Sequence, residues 1–134
     1  MAAASAATAD RVSRNSLADT ETAAGDYIGT SAKTGSVAGL ANGRSKAIKA
    51  RVFATGTTVE NEVRIYRRNA TGPTYSYAFS VFVPARTVAW PGSVPWSSPE
   101  ISIDIELPDA NHALAFNKEK NATNLVVEYV VRDY

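Results

Sequence analysis

The sequence predicts an all-β fold, an antiparallel β-sandwich with an extended N-terminal arm, and three stretches carry that prediction. Residues 75–83 place large side chains at Tyr75, Tyr77, Phe79, Val81 and Val83 and small ones at Ser76, Ala78 and Ser80. Period-two alternation marks a strand with one face on a core, and this stretch is expected to be a central strand. Residues 101–107 set Ile101, Ile103, Ile105 and Leu107 against Ser102, Asp104 and Glu106, the pattern of a half-buried strand with a solvated face. Residues 125–132 form a β-branched run that argues against helix. Being apolar on both faces, that run belongs inside a sheet or against the arm. Two packed antiparallel sheets suit this pattern, with a jelly roll as one arrangement.

In chain order, residues 1–45 differ from the rest. They are Ala, Ser, Thr, Gly, Asn and Asp with few large apolar side chains beyond Val12, Leu17, Tyr27, Ile28, Val37 and Leu40. Such a segment cannot bury enough surface to fold alone, so it is either a mobile tail or an arm that orders against a neighbouring subunit. Residues 2–7 and 10–17 read as short helical turns, and Tyr27-Ile28 as a short strand. From Lys46 to residue 134 the chain reads as the sandwich domain. Residues 46–54, 59–68 and 75–83 are three closely spaced strands expected to form an antiparallel meander. Gly72 is placed to supply a positive φ in the turn before the third. Residues 112–116 form a further short strand.

Composition excludes several function classes. The formal net charge is +1, so bulk attraction to nucleic acid or an anionic membrane is not implied. The absence of cysteine removes disulfides, thiolate chemistry and zinc-thiolate sites. No apolar run approaches the roughly 20 residues of a membrane span. The Ala-rich start has no basic segment and no leucine-rich core, and does not read as a signal peptide.

Residues 84–99 carry prolines at 84, 91, 95 and 99 and both tryptophans, Trp90 and Trp96. Prolines forbid a helix or central strand here, with residues 87–90 as one short edge strand. A stiffened loop loses less entropy on docking, and Trp is favoured at interface hot spots. The alternative is that the indoles cap the open end of the sandwich. Arg44, Lys46, Lys49, Arg51, Arg64, Arg67 and Arg68 cluster early, and Glu100, Asp104, Glu106 and Asp109 later. These are either separate charged surfaces suited to head-to-tail contact or an ordinary solvated mixture. The candidate interface residues are therefore Tyr27, Ile28, Trp90, Trp96, Arg64, Arg67 and Arg68. His112 is the only histidine and reads as structural. Asp104 and Glu106 share a strand face about 7 Å apart, a spacing a solvated face also produces. No metal, cofactor or catalytic set is expected. Asn69-Ala-Thr71 and Asn121-Ala-Thr123 are formal glycosylation sequons.

A small cysteine-free β-sandwich with a long Ala/Ser/Thr arm, residues 1–45, resembles bacteriophage virion structural proteins, nearest to capsid decoration or cement proteins. The strand 101–107 with its following turn and the terminal 125–131 share in the likeness. That resemblance implies homo-oligomers, a dimer or trimer, bound to the major capsid protein in the virion. A second likeness is to single-stranded RNA phage coat proteins, through residues 44–49 and 82–87. Those coats end in two helices, whereas this chain is expected to end in a strand.

Overall fold

The computed structural model describes residues 9–23, 31–86, 96–122 and 124–134. The described residues form eight strands: β1 (Ala9–Leu17), β2 (Lys33–Ala38), β3 (Ser45–Ala54), β4 (Asn61–Asn69), β5 (Thr74–Val83), β6 (Ile101–Leu107), β7 (His112–Lys118) and β8 (Leu125–Asp133). A 3₁₀ turn occupies Asp19–Glu21. Two antiparallel four-stranded sheets run β1-β8-β3-β6 and β2-β7-β4-β5. The chain is thus one long antiparallel hairpin, pairing first strand with eighth, second with seventh, third with sixth and fourth with fifth. Successive pairs alternate between the sheets, and β8 beside β3 and β7 beside β4 complete them. This winding is a jelly roll. Its tip is the β4–β5 turn, where Gly72 has a φ of 92°, a conformation glycine adopts without a Cβ penalty.

The two sheets enclose Ala47, Ala50, Val52, Val63, Ile65, Val81, Leu107, Leu114, Phe116, Val127, Tyr129 and Val131. Each large apolar side chain removed from water stabilises by roughly 1.5–3 kcal/mol. Tyr129 of β8 crosses to the other sheet, where its hydroxyl accepts the Val37 N–H at 3.1 Å. It lies against Gly35, where any Cβ would run into the Tyr129 hydroxyl and the Leu114 carbonyl. That glycine is therefore required by close approach rather than by backbone angle.

Four expectations change. Residues 10–17 are a strand and not a helical turn, because β1 pairs along its whole length with β8, Ala9 opposite Asp133 through Leu17 opposite Leu125. Tertiary pairing overrides weak local preference. Apart from Leu17, which joins the core, its inward residues are polar, and Asn15 donates to Ser13 at 3.0 Å while Ser13 and Ser36 share a 2.5 Å hydrogen bond. β1 and β2, one in each sheet, thus draw the described parts of residues 1–45 into the sandwich. The expected meander fails because β3 lies in the other sheet from β4 and β5; its Ala47, Ala50 and Val52 face the core from the opposite side. Finally, residues 75–83 form an edge strand and not a central one.

The last correction has a second part. β5 pairs Phe79 with Ile65 but Tyr77 with Tyr66, so Ala78 is an extra residue, a β-bulge. A bulge reverses which parity faces the core. Phe79, Val81 and Val83 point inward, whereas Tyr75 and Tyr77 turn to the outer face with Tyr66. The expected strand at Tyr27-Ile28, the turn at 2–7 and the strand at 87–90 lie outside the described residues.

Candidate interaction surfaces

The outer face of the first sheet is a ladder of opposite charges. Register sets Asp10 beside Arg132 and Arg14 beside Glu128, with Lys46 and Arg51 the next across. Arg132 binds Asp10 at 2.7 Å. Glu128 bridges Arg14 and Arg51, the latter at 2.8 Å. Across β3 and β6, Lys46 pairs with Asp104 at 3.2 Å, Lys49 with Glu100 at 3.5 Å and Arg44 with Glu106 at 2.9 Å. Arg44, Lys46 and Lys49 of the early basic cluster therefore interleave with Glu100, Asp104 and Glu106 of the later acidic one, because β3 and β6 are neighbours in the sheet. Arg64, Arg67 and Arg68 lie on β4 in the other sheet. The Arg51 hydrogen bond, then that of Arg14, holds the Glu128 carboxyl below the ordinary carboxylate range against the opposing effect of burial. Burial raises Asp133 too, but hydrogen bonds from Arg11 and Ser45 outweigh it and its net shift is downward.

The outer face of the second sheet is built on aromatic rings. Tyr66 is fully buried there. Its ring meets Tyr75 and Tyr77 edge-on at centroid distances of 6.2 and 6.0 Å, a favoured geometry. Its hydroxyl donates to buried Asn117 at 3.2 Å. Of the predicted interface arginines, Arg64 is buried on this face and donates to Glu62 at 3.3 Å. Arg68 donates to the Tyr75 hydroxyl at 3.3 Å and lies over its ring. Arg67 takes the alternate parity, opposite Ser76 and Leu114, and is half-buried. The three arginines are therefore not one surface patch. Towards the β5 margin, Tyr77 is 49% and Phe82 61% exposed.

Trp96 packs against the core, and its carbonyl accepts the Ala54 N–H at 2.8 Å. Tyr27, Ile28 and Trp90 lie outside the described residues. Sequence reasoning missed Phe82, Tyr75 and Tyr77 as a surface group. The signal was Phe82 itself, a large residue on the supposedly small side of the alternation.

An open cavity of about 480 Å³ is lined by Thr57, Thr58, Val59, Arg86, Asn121, Ala122 and Asn124. These side chains offer no carboxylate and no nucleophile beside a base. His112 is bound through Nδ1 to Asp109 at 2.7 Å, a contact that closes the β6–β7 turn. That bond, with the Asn111 N–H, lowers the Asp109 pKa. Lys118 is fully buried, and its ammonium donates to the Ala18 carbonyl beneath the 3₁₀ turn. Burial pushes its pKa down, partly offset by Asp19 and Glu21. No group of three His, Asp or Glu among the described residues is placed to hold a metal. No helix of the described residues is long and apolar enough to cross a membrane. Comparison with known proteins finds no matching family model, curated protein or solved structure.

Proposed function

We propose that this chain is a virion structural protein, a decoration or cement subunit that binds and stabilises a capsid lattice. The observation that carries the reading is the strand order β1-β8-β3-β6 and β2-β7-β4-β5, the winding used by many capsid subunits. Fold alone is an analogy, so the surfaces matter beside it. The outer face of the first sheet sets opposite charges in cross-strand pairs, and β5 presents an apolar, aromatic margin. That suits a building block better than a catalyst. A cement subunit acts by adding buried area across joints between lattice subunits, which raises the free energy needed to separate them.

Negative-stain microscopy of the purified protein, alone and mixed with undecorated capsids, tests the reading. Small oligomers that attach to capsids at regular positions support it. Closed shells formed by the chain alone would favour a major coat protein instead. A carbohydrate-binding module is the remaining alternative, since jelly rolls also serve as lectins. Glycan-array binding together with failure to attach to any particle would replace the virion reading by that one.

A further inference from the structure

We infer that β5 is the seam of a two-fold dimer, in which two copies pair their β5 edges antiparallel and continue the second sheet into one of eight strands. This goes beyond the virion reading and does not depend on it.

An edge strand presents unpaired N–H and C=O groups, and proteins usually guard such strands with charge, proline or shortness. The other edges of this sandwich are guarded. β6 carries Asp104, paired with Lys46 of β3, and Glu106, paired with Arg44 just before β3. β1 carries Asp10, Arg11 and Arg14. β2 has six residues, a register shift and a lysine. β5 has ten residues, Thr-Tyr-Ser-Tyr-Ala-Phe-Ser-Val-Phe-Val, with no charge and no proline. Among the described residues it has a neighbour on one side only, β4. Its length is about 34 Å at strand rise.

The bulge at Ala78 makes this strand complementary to itself. In a ten-residue strand of unbroken alternation, full antiparallel overlap sets each inward residue beside an outward one. The bulge reverses parity halfway. Full overlap, about an axis between Ala78 and Phe79, then sets outward Tyr75 beside outward Phe82 of the second copy. Inward Ser76 falls beside inward Val81, and Thr74 beside Val83. The exposed Phe82 of each copy thereby gains one aromatic cross-strand partner, an arrangement that stabilises antiparallel pairs. With no charge on the strand, two copies approach without like-charge repulsion. A charged peptide would find no counter-ion along this edge, which is why the second copy is the favoured occupant.

Sedimentation velocity of the full chain up to millimolar concentration tests this. The native chain should show a reversible dimer. Phe82→Lys places a cation in the seam twice and should weaken that dimer at least about tenfold; Ser80→Lys should do likewise. Val12→Lys, on the outer face of β1 and 63% exposed, should leave it unchanged. Circular dichroism confirms that each variant stays folded. Because the chain has no cysteine, register can be read directly. A mixture of Tyr75→Cys and Phe82→Cys chains should oxidise to a cross-linked heterodimer, and neither variant alone should cross-link. A native chain that stays monomeric throughout the range overturns the inference. So does a dimer that survives both lysine variants, or a variant that cross-links with itself as fast as the mixture does.

Discussion

The outer faces of the two sheets solve different problems with the same backbone. On the first sheet, cross-strand carboxylates answer the cations of β1, β3 and β8, and Glu128 alone holds two arginines. On the second, Tyr66 is fully buried on the side facing away from the core, with two tyrosine rings and Asn117 around it. The first face is arranged for water, where charge pairs are worth little and solubility is gained. The second derives its cohesion from buried ring area. Stability should therefore be unequally sensitive on the two sides, although neither set of residues belongs to the central core.

The strongest way to break that contrast is Tyr66→Ala. Removing a buried ring leaves a cavity and should cost about 3–5 kcal/mol. Its counterpart on the first sheet, Arg51→Ala, removes a half-exposed ion pair and should cost about 1 kcal/mol or less. Urea unfolding midpoints at unchanged slope would measure both. Equal losses would mean that the charged face is as desolvated as the aromatic one. Next in size is Gly35→Ala, expected to cost roughly 1–3 kcal/mol through overpacking. The added methyl would drive Tyr129 from its bond to Val37, the contact by which β8 of one sheet reaches β2 of the other. A neutral result would show that β2 yields there and that the sheets meet loosely.

Much of this architecture was legible in the sequence, and the parts that were not share a cause. Ile101–Leu107 and Leu125–Asp133 announced themselves because each presents an unbroken pattern to a neighbour on its inward face. The placement of β8 between β1 and β3 follows from its two apolar faces. β1 stayed hidden because three of its four inward positions, Arg11, Ser13 and Asn15, are polar, and Arg11 and Ser13 find partners remote in sequence, Asp133 and Ser36. β5 was recognised as a strand but misassigned to the sheet centre. Its alternation ran unbroken through Ala78, and only the pairing with Ile65 and Tyr66 exposes the bulge. Arg44, Lys46 and Lys49 looked separable from Glu100, Asp104 and Glu106 because they lie far apart in sequence, and β3 beside β6 brings them together. Non-local pairing, invisible to any window, decided each of these cases.

Acid sharpens the comparison at the next level. Hydrogen bonds from arginine hold Glu128, Asp10 and Asp133 below the ordinary carboxylate range in the folded state. A depressed folded pKa means that the unfolded chain binds more protons as pH falls, so these groups stabilise above the ordinary carboxylate range. That stabilisation is lost as pH drops from there through the folded values. All three lie in the first sheet. Glu128→Gln should therefore cost about 1 kcal/mol at neutral pH and flatten the acid limb of the stability curve. A variant with the same acid slope as the native chain would show that the ladder is not what titrates. Lys118 acts at the other end. Its pKa is lowered by burial, so stability should rise with pH between its folded value and that of an ordinary lysine.

The smallest expected effect is the most diagnostic of solvent on the first face. Asp104 is 76% exposed, and its partner Lys46 holds it at 3.2 Å from β3. An exposed pair of this kind gains little Coulomb energy in water and loses side-chain freedom in forming. Asp104→Asn should therefore change stability by less than about 0.5 kcal/mol at low salt. Even that difference should fade near 1 M salt, where the screening length is about 3 Å. A loss several times larger, persisting in high salt, would require that Asp104 be shielded from solvent. Protein packed over the ladder would supply that shield, and the charged face would then be a buried surface.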